Sequence, residues 1–258
     1  ELVSMPDNAT GTIKEGTTEV IYYYKLKEPN ITEQTIEKES STEKITLPDQ
    51  AIDYNINYTA KVDNYIGNAT VTIVDTLPYE IDLEKSNIAN GSYDSEEKTI
   101  TWTEEIGDID TFVNGEKEIN ITKEISLVYK DIDVTQAKVE NTVTGTINLE
   151  TPQKEEKVED TKEIPTEYTT QITVNKIWND NETQAGRRPE SIIIVVKNGD
   201  QEVKTQEITK ANMVEGTTNQ WSTVIEGLQK YDENGNEIQY TVEEREKTEG
   251  DLKFYEVE

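Results

Sequence analysis

Ile52-Asp53-Tyr54-Asn55-Ile56-Asn57-Tyr58 alternates apolar and polar side chains without a break. Successive side chains of a strand point to opposite faces, so this pattern buries one face and wets the other. The same two-residue period recurs at Val71-Ile73, Ile119-Ile121, Ile125-Leu127-Tyr129 and Ile192-Ile194-Val196, with turn residues between the runs. No helical period of useful length competes with it. Short strands at this spacing predict an all-β chain of tandem Greek-key β-sandwich domains joined by short linkers.

At 258 residues the length predicts two modules plus fragments. There are 54 Asp and Glu against 25 Lys and Arg, a formal charge of −29, which repels nucleic acid and anionic lipid. An acidic chain can be disordered, but 13 Tyr, 3 Trp and the alternating Val, Ile and Thr runs argue for folded strands with charged outer faces. Cysteine and histidine are both absent. Disulfides, thiolate metal sites and the commonest general base and zinc ligand go with them, so neither metal nor cofactor is expected. No apolar run approaches the about 20 residues of a membrane helix. Neither a signal peptide nor an initiator Met opens the chain, which reads as a fragment of something longer.

Two stretches interrupt the alternation with linker-like composition: Lys27-Glu28-Pro29-Asn30 and the acidic, proline-bounded segment from Thr151 to Pro165. They predict a short first piece over 1–29, with strand character at Val20-Ile21-Tyr22-Tyr23-Tyr24, a sandwich over 30–150, an acidic linker over 151–168, and a second sandwich over 169–258. The oxygen-rich Asp232-Glu233-Asn234-Gly235-Asn236-Glu237 lacks full calcium-loop spacing and reads as a hairpin turn.

Strand parity also locates polar groups on buried faces, because a residue in phase with the apolar set points into the core. Ile36 shares a face with Lys38; Val71, Ile73 and Leu77 share one with Asp75; Val139 and Val143 share one with Asn141. In the second sandwich, Lys176 is in phase with Ile172, Val174 and Trp178, and Glu244 with Ile238, Tyr240 and Val242. An amine, an acid and a carboxamide in a dry core are the ingredients of an amide bond: the amine attacks the carboxamide carbon, the acid relays protons, and ammonia leaves. The competing reading is that each lysine snorkels to the sheet rim while Asp75 or Glu244 makes a turn or a buried ion pair.

Residues 170–258 resemble a collagen-adhesin B-type domain, through Val174-Asn175-Lys176-Ile177-Trp178, Arg188-Pro189-Glu190-Ser191-Ile192, Trp221, Gly227-Leu228 and Tyr240-Thr241-Val242-Glu243-Glu244. The resemblance implies an immunoglobulin-like sandwich in which Lys176 bonds to an Asn of a final strand, assisted by Glu244. Such domains continue beyond the point where this chain stops at Phe254-Tyr255-Glu256-Val257-Glu258, so that strand and bond are expected to be absent. Residues 31–150 resemble the A-type isopeptide-forming domains of Gram-positive fimbrial proteins, through Ile36-Glu37-Lys38, Val74-Asp75-Thr76-Leu77-Pro78, Trp102 and Val139-Glu140-Asn141-Thr142. This implies a Lys38–Asn141 bond assisted by Asp75, with Lys44 the substitute nucleophile if the register differs. The first piece is similar to the end of a mucin-binding-protein repeat, through Asn8-Ala9-Thr10-Gly11-Thr12 and Val20-Ile21-Tyr22-Tyr23-Tyr24-Lys25.

Taken together the resemblances imply a non-enzymatic spacer of an extracellular adhesin or pilin-like stalk, catalysing at most its own cross-link. Its parent would be covalently anchored to a Gram-positive wall through a region outside this chain. Expected partners are a host matrix protein, a mucin or a glycan; nucleic acid and membrane insertion are not expected. The alternatives are a host-ligand binding module and a glycoside hydrolase using paired acids such as Glu104 and Glu105, which adjacent strand positions would point to opposite faces. Asn-x-Ser/Thr sequons at Asn8, Asn30, Asn57, Asn68, Asn90 and Asn120 are assigned no role.

Overall fold

The computed structural model describes residues 2–12, 15–25, 27–180 and 186–255. Among them, strands predominate as the two-residue period requires, and helix is confined to one turn at Thr111–Asn114 and a 3-10 turn at Lys210–Asn212. The chain divides into two compact units, residues 1–132 with 138–165 and residues 133–137 with 166–258.

The first unit opens with a small ribbon, β1 (Leu2–Ser4) paired with β2 (Tyr23–Tyr24), whose side chains are mostly exposed. Its body is built from β3 (Asn30–Ser40), β4 (Ala51–Asp63), β5 (Ile66–Thr76), β6 (Ser92–Asp94), β7 (Thr99–Asp110), β8 (Lys117–Val128), β9 (Lys138–Glu150) and β10 (Gln153–Pro165). One sheet has the order β3-β4-β8 and the other β10-β9-β5-β7-β6, with antiparallel neighbours throughout. The alternation in the sequence is the alternation of burial: Ile52, Tyr54, Ile56 and Tyr58 of β4 are buried, as are Val71 and Ile73 of β5 and Val143 and Ile147 of β9. Each such side chain stabilises the fold by roughly 1.5–3 kcal/mol relative to leaving it in water. The two sheets approach closely at Gly145, where a Cβ would lie 2.5 Å from a ring carbon of Tyr58 and 3.1 Å from the Ile36 side chain. Glycine is required there by space, since nothing larger fits between the layers.

Here the structure corrects the expected linker. Residues 153–165 form β10, which pairs with β9 over its full length from Gln153 opposite Glu150 to Pro165 opposite Lys138. The first sandwich therefore runs to Pro165 and not to 150. Of the thirteen residues of β10 only Ile164 is buried. The strand is held instead by its backbone ladder and by cross-strand pairs such as Thr142–Thr161 and Lys138–Glu163. It also lies along β3, tied to it by side chains: Gln34 Nε2 donates to the Glu156 carbonyl at 3.1 Å, and Lys154 Nζ to the Pro29 carbonyl at 3.2 Å. The Lys38 N–H donates to Asp160 Oδ2 at 2.6 Å. Positions rise together on the two strands, so β3 and β10 run side by side in the same direction and close one edge of the sandwich.

The second unit contains β11 (Thr169–Ile177), β12 (Ser191–Asn198), β13 (Gln201–Thr209), β14 (Gln220–Gln229) and β15 (Tyr240–Glu246). β11 pairs with β14, and β12 lies between β13 and β15. Trp178, Ile192, Ile194, Val196, Ile208, Trp221, Ile225 and Leu228 form its core. Within it Trp178 and Trp221 meet edge to face, centroids 5.2 Å apart at 70°, the arrangement the aromatic quadrupole favours. The Asp232 segment is the expected turn: its carboxylate accepts from the backbone N–H of Asn234 and Asn236, at 2.9 and 2.8 Å.

Candidate functional site

Three strands deliver one polar side chain each to the interior of the first unit. Lys38 comes from β3, Asp75 from β5 and Asn141 from β9, and they are 3, 0 and 0 % exposed. β5 and β9 are direct neighbours with Asp75 opposite Val143, which puts Asn141 one inward step along the same face. β3 belongs to the facing sheet, so the lysine reaches across the sandwich.

Asp75 touches both of the others. Its Oδ1 is paired with Lys38 Nζ, and its Oδ2 accepts from Asn141 Nδ2 at 3.2 Å. Parity had placed each residue inward; the structure brings the three together. Lys44 is exposed in the connection between β3 and β4.

Burial sets the protonation. Desolvation pushes the Lys38 amine below its ordinary pKa, against the pull of the Asp75 charge, and pushes the Asp75 carboxyl up, against the opposing effect of Lys38. Both directions favour moving one proton from the amine to the acid, because a neutral pair costs less than an ion pair in a medium of low polarity.

Two tyrosines complete the cluster, and sequence reading did not assign them to it. The Lys38 Nζ lies 4.6 Å from the centroid of the Tyr54 ring. Tyr129 OH is 3.2 Å from Asn141 Nδ2 and 3.5 Å from Tyr54 OH. Burial raises both phenols, Tyr54 to about 12 and Tyr129 well above its ordinary value. The signal available was parity: Tyr54 is in phase with Ile52 and Ile56, and Tyr129 with Ile125 and Leu127. Parity gives the direction of a side chain but not the partner its hydroxyl meets. Asp160, which holds the Lys38 backbone, was hidden in the stretch read as a linker.

In the second unit Lys176 Nζ and Glu244 Oε2 are 2.9 Å apart, joining β11 to β15, and both side chains are partly exposed. The amine also lies 4.6 Å from the Trp178 ring. The expected inward row on β15 is only partly realised: Tyr240 and Glu244 are half-buried, but Val242 is 44 % exposed. Its packing is open at that point, so the row is not a closed core. Of the terminal stretch on which a final strand was expected to be lacking, residues 256–258 lie outside the described residues.

Glu104 and Glu105 do not converge. Glu104 pairs with Lys123, while Glu105 accepts from the Thr70 hydroxyl at 3.4 Å. Among the described residues no group of three or more acids is placed to hold a metal ion, and no helix is long and apolar enough to cross a membrane.

Residues 172–256 match the family model of the Cna protein B-type domain. Over 79 residues the chain is 38 % identical to a collagen adhesin of Staphylococcus aureus, a match covering 31 % of this chain and 6 % of that relative. Among solved structures, the major pilin subunit of Bacillus cereus aligns over 85 % of this chain and 68 % of its own, at 16 % identity and a TM-score of 0.38. An adhesin of Mobiluncus mulieris, described as containing intramolecular disulfide, isopeptide and ester cross-links, aligns over 88 % of this chain and 83 % of its own, at 13 % identity and a TM-score of 0.43. A single B repeat of the Staphylococcus aureus collagen-binding surface protein aligns over 84 % and 89 % at 20 % identity, with a TM-score of 0.27. All three scores fall below 0.5.

Proposed function

We propose that this chain is a spacer from the stalk of a Gram-positive surface adhesin or pilin-like protein, and that its first unit braces itself with an amide bond between Lys38 and Asn141. The observation that carries the reading is the fully buried Asp75, in contact with the amine through one oxygen and with the carboxamide through the other. A stalk role is supported by the B-type match over residues 172–256 and by the relative being a collagen adhesin.

The chemistry follows from the protonation the core favours. The Lys38 amine, neutral after giving its proton to Asp75, adds its lone pair to Asn141 Cγ, and the carbonyl π pair moves to Oδ1. Nζ loses a proton to the acid as the acid protonates Nδ2; the C–Nδ2 bond breaks, the carbonyl re-forms and ammonia leaves. No cofactor or outside reactant is consumed, and the reaction runs once per chain, so the protein acts on itself and not on a substrate.

The bond would close a loop of about 104 residues, for which the chain-entropy relation for a disulfide gives about 4.7 kcal/mol. Its mechanical effect is larger, because force entering at β3 would pass through the amide into β9 and bypass the ladders between. Bracing without cysteine suits a surface exposed to a varying redox environment. The parent protein is placed outside the cell and fixed to the wall by another region, with a host matrix protein, mucin or glycan as its target.

Single-molecule pulling on the whole chain tests the mechanical reading. The bonded chain extends without any contribution from residues 39–140, while 142–165, which lie beyond the bond, remain extensible. Release of the 39–140 length in the unmodified chain would contradict the bracing role.

A further inference from the structure

The carboxamide of Asn141 is oriented for the ion-paired state of the site and not for reaction. Its Nδ2 faces two acceptors, Asp75 Oδ2 and Tyr129 OH, each at 3.2 Å. Its Oδ1 is buried and has no donor. A buried carbonyl without a donor is costly, and it becomes far more so once addition of an amine puts negative charge on that oxygen.

A half-turn about Cβ–Cγ exchanges the two atoms at nearly unchanged shape. It sets Oδ1 against the Tyr129 hydroxyl and against the Asp75 carboxyl, which presents the proton taken from Lys38 once that carboxyl has turned. Tyr129 OH in turn lies 3.5 Å from Tyr54 OH, so the chain Tyr54, Tyr129, Asn141 can point its hydroxyl hydrogens one way, toward the carbonyl.

We propose that Tyr129 is a catalytic residue of the cross-linking step, its phenol donating a hydrogen bond to Asn141 Oδ1 as that oxygen takes up the electron pair of the carbonyl. This inference rests on the Lys38–Asn141 reading. The phenol keeps its proton throughout: the amine proton goes to Asp75, the tetrahedral centre turns back about Cβ–Cγ to bring Nδ2 to the acid, and the proton passes to the departing ammonia, so Tyr129 supplies only the hydrogen bond. Its burial supports this role, since a phenol whose pKa is raised well above the ordinary value keeps its proton, and so remains a donor, at neutral pH. The site then has two preorganised donors for one developing charge, from β8's continuation and from β5, in a core that excludes water.

The test follows intact mass against time after synthesis, in the whole chain. Loss of a single oxyanion donor slows a reaction of this kind about 10²–10³-fold. The unsubstituted protein is expected to complete the loss of ammonia before it can be purified. Tyr129→Phe, which keeps the ring, is expected to be isolated largely at full sequence mass and to lose ammonia slowly while showing the same limited-proteolysis pattern. If that variant does not fold, p-aminophenylalanine and p-methylphenylalanine at position 129 carry the same comparison, the donor restoring the reaction and the methyl not. A Tyr129→Phe or p-methylphenylalanine chain that cross-links as fast as the unsubstituted one overturns the role of Tyr129 and leaves the cross-link standing. An unsubstituted chain that never loses ammonia overturns both.

Discussion

Asp75 stands between Lys38 and Asn141, one carboxyl oxygen paired with the amine and the other 3.2 Å from the carboxamide nitrogen. A group so placed touches both partners of the proton transfer, and turning its carboxyl presents to the carboxamide the proton it takes from the amine. A buried ion pair alone is weak support for stability, since its desolvation cost commonly cancels its attraction. The third member, an amide aligned on the same carboxyl, makes the cluster suited to chemistry.

Asp75→Asn keeps the size of the side chain and removes its capacity to carry a proton. The variant is expected to retain full sequence mass and to unfold at lower urea concentration, having lost both the covalent tie and the partner of a buried lysine. Removing one partner of a buried pair costs about 3–5 kcal/mol. Loss of ammonia from this variant would show that the acid is dispensable.

The protonation directions predict an unusual pH dependence in a chain that cannot cross-link, such as Asn141→Ala. Lys38 has a folded pKa below its unfolded value, so its contribution is favourable above the unfolded pKa of 10.5 and is lost as pH falls through the folded one. Asp75 has a folded pKa above its unfolded value, so its contribution is favourable below 3.8 and is lost as pH rises through the folded one. Between these limits the pair costs stability. Comparing Asn141→Ala with the triple variant Lys38→Met, Asp75→Asn, Asn141→Ala isolates the pair from the many surface carboxylates. The triple variant should gain most over the single one at intermediate pH, read from urea midpoints, and a pH-independent difference would contradict the assigned directions.

Gly145 tests the contact between the sheets. Alanine there would place its Cβ 2.5 Å from the Tyr58 ring, and overpacking of this kind costs about 1–3 kcal/mol. A midpoint for Gly145→Ala equal to that of the parent would contradict this close approach of the layers.

Much of this was legible in the sequence because a sandwich buries alternate residues, so a polar residue in phase with Val, Ile and Leu must point inward. Lys38, Asp75 and Asn141 were found that way, each on a separate strand. That they meet depends on which strands are neighbours and on the register of Asp75 against Val143, and parity carries neither. Strand β10 was misread for a physical reason. It has almost no apolar face, being held by a backbone ladder and by paired polar side chains, and that composition is the composition of a linker. Asp160 was lost with it. The β15 row failed at Val242, where the correct parity for an inward face meets an open part of the unit.

The Lys38–Asn141 bond is tested by the intact mass of the purified chain under denaturing conditions, beside that of Lys38→Ala. The parent chain is expected to weigh one ammonia less than its sequence, and Lys38→Ala to weigh what its sequence requires. A parent chain at full sequence mass would contradict it, leaving Lys38, Asp75 and Asn141 as a buried polar cluster and no more.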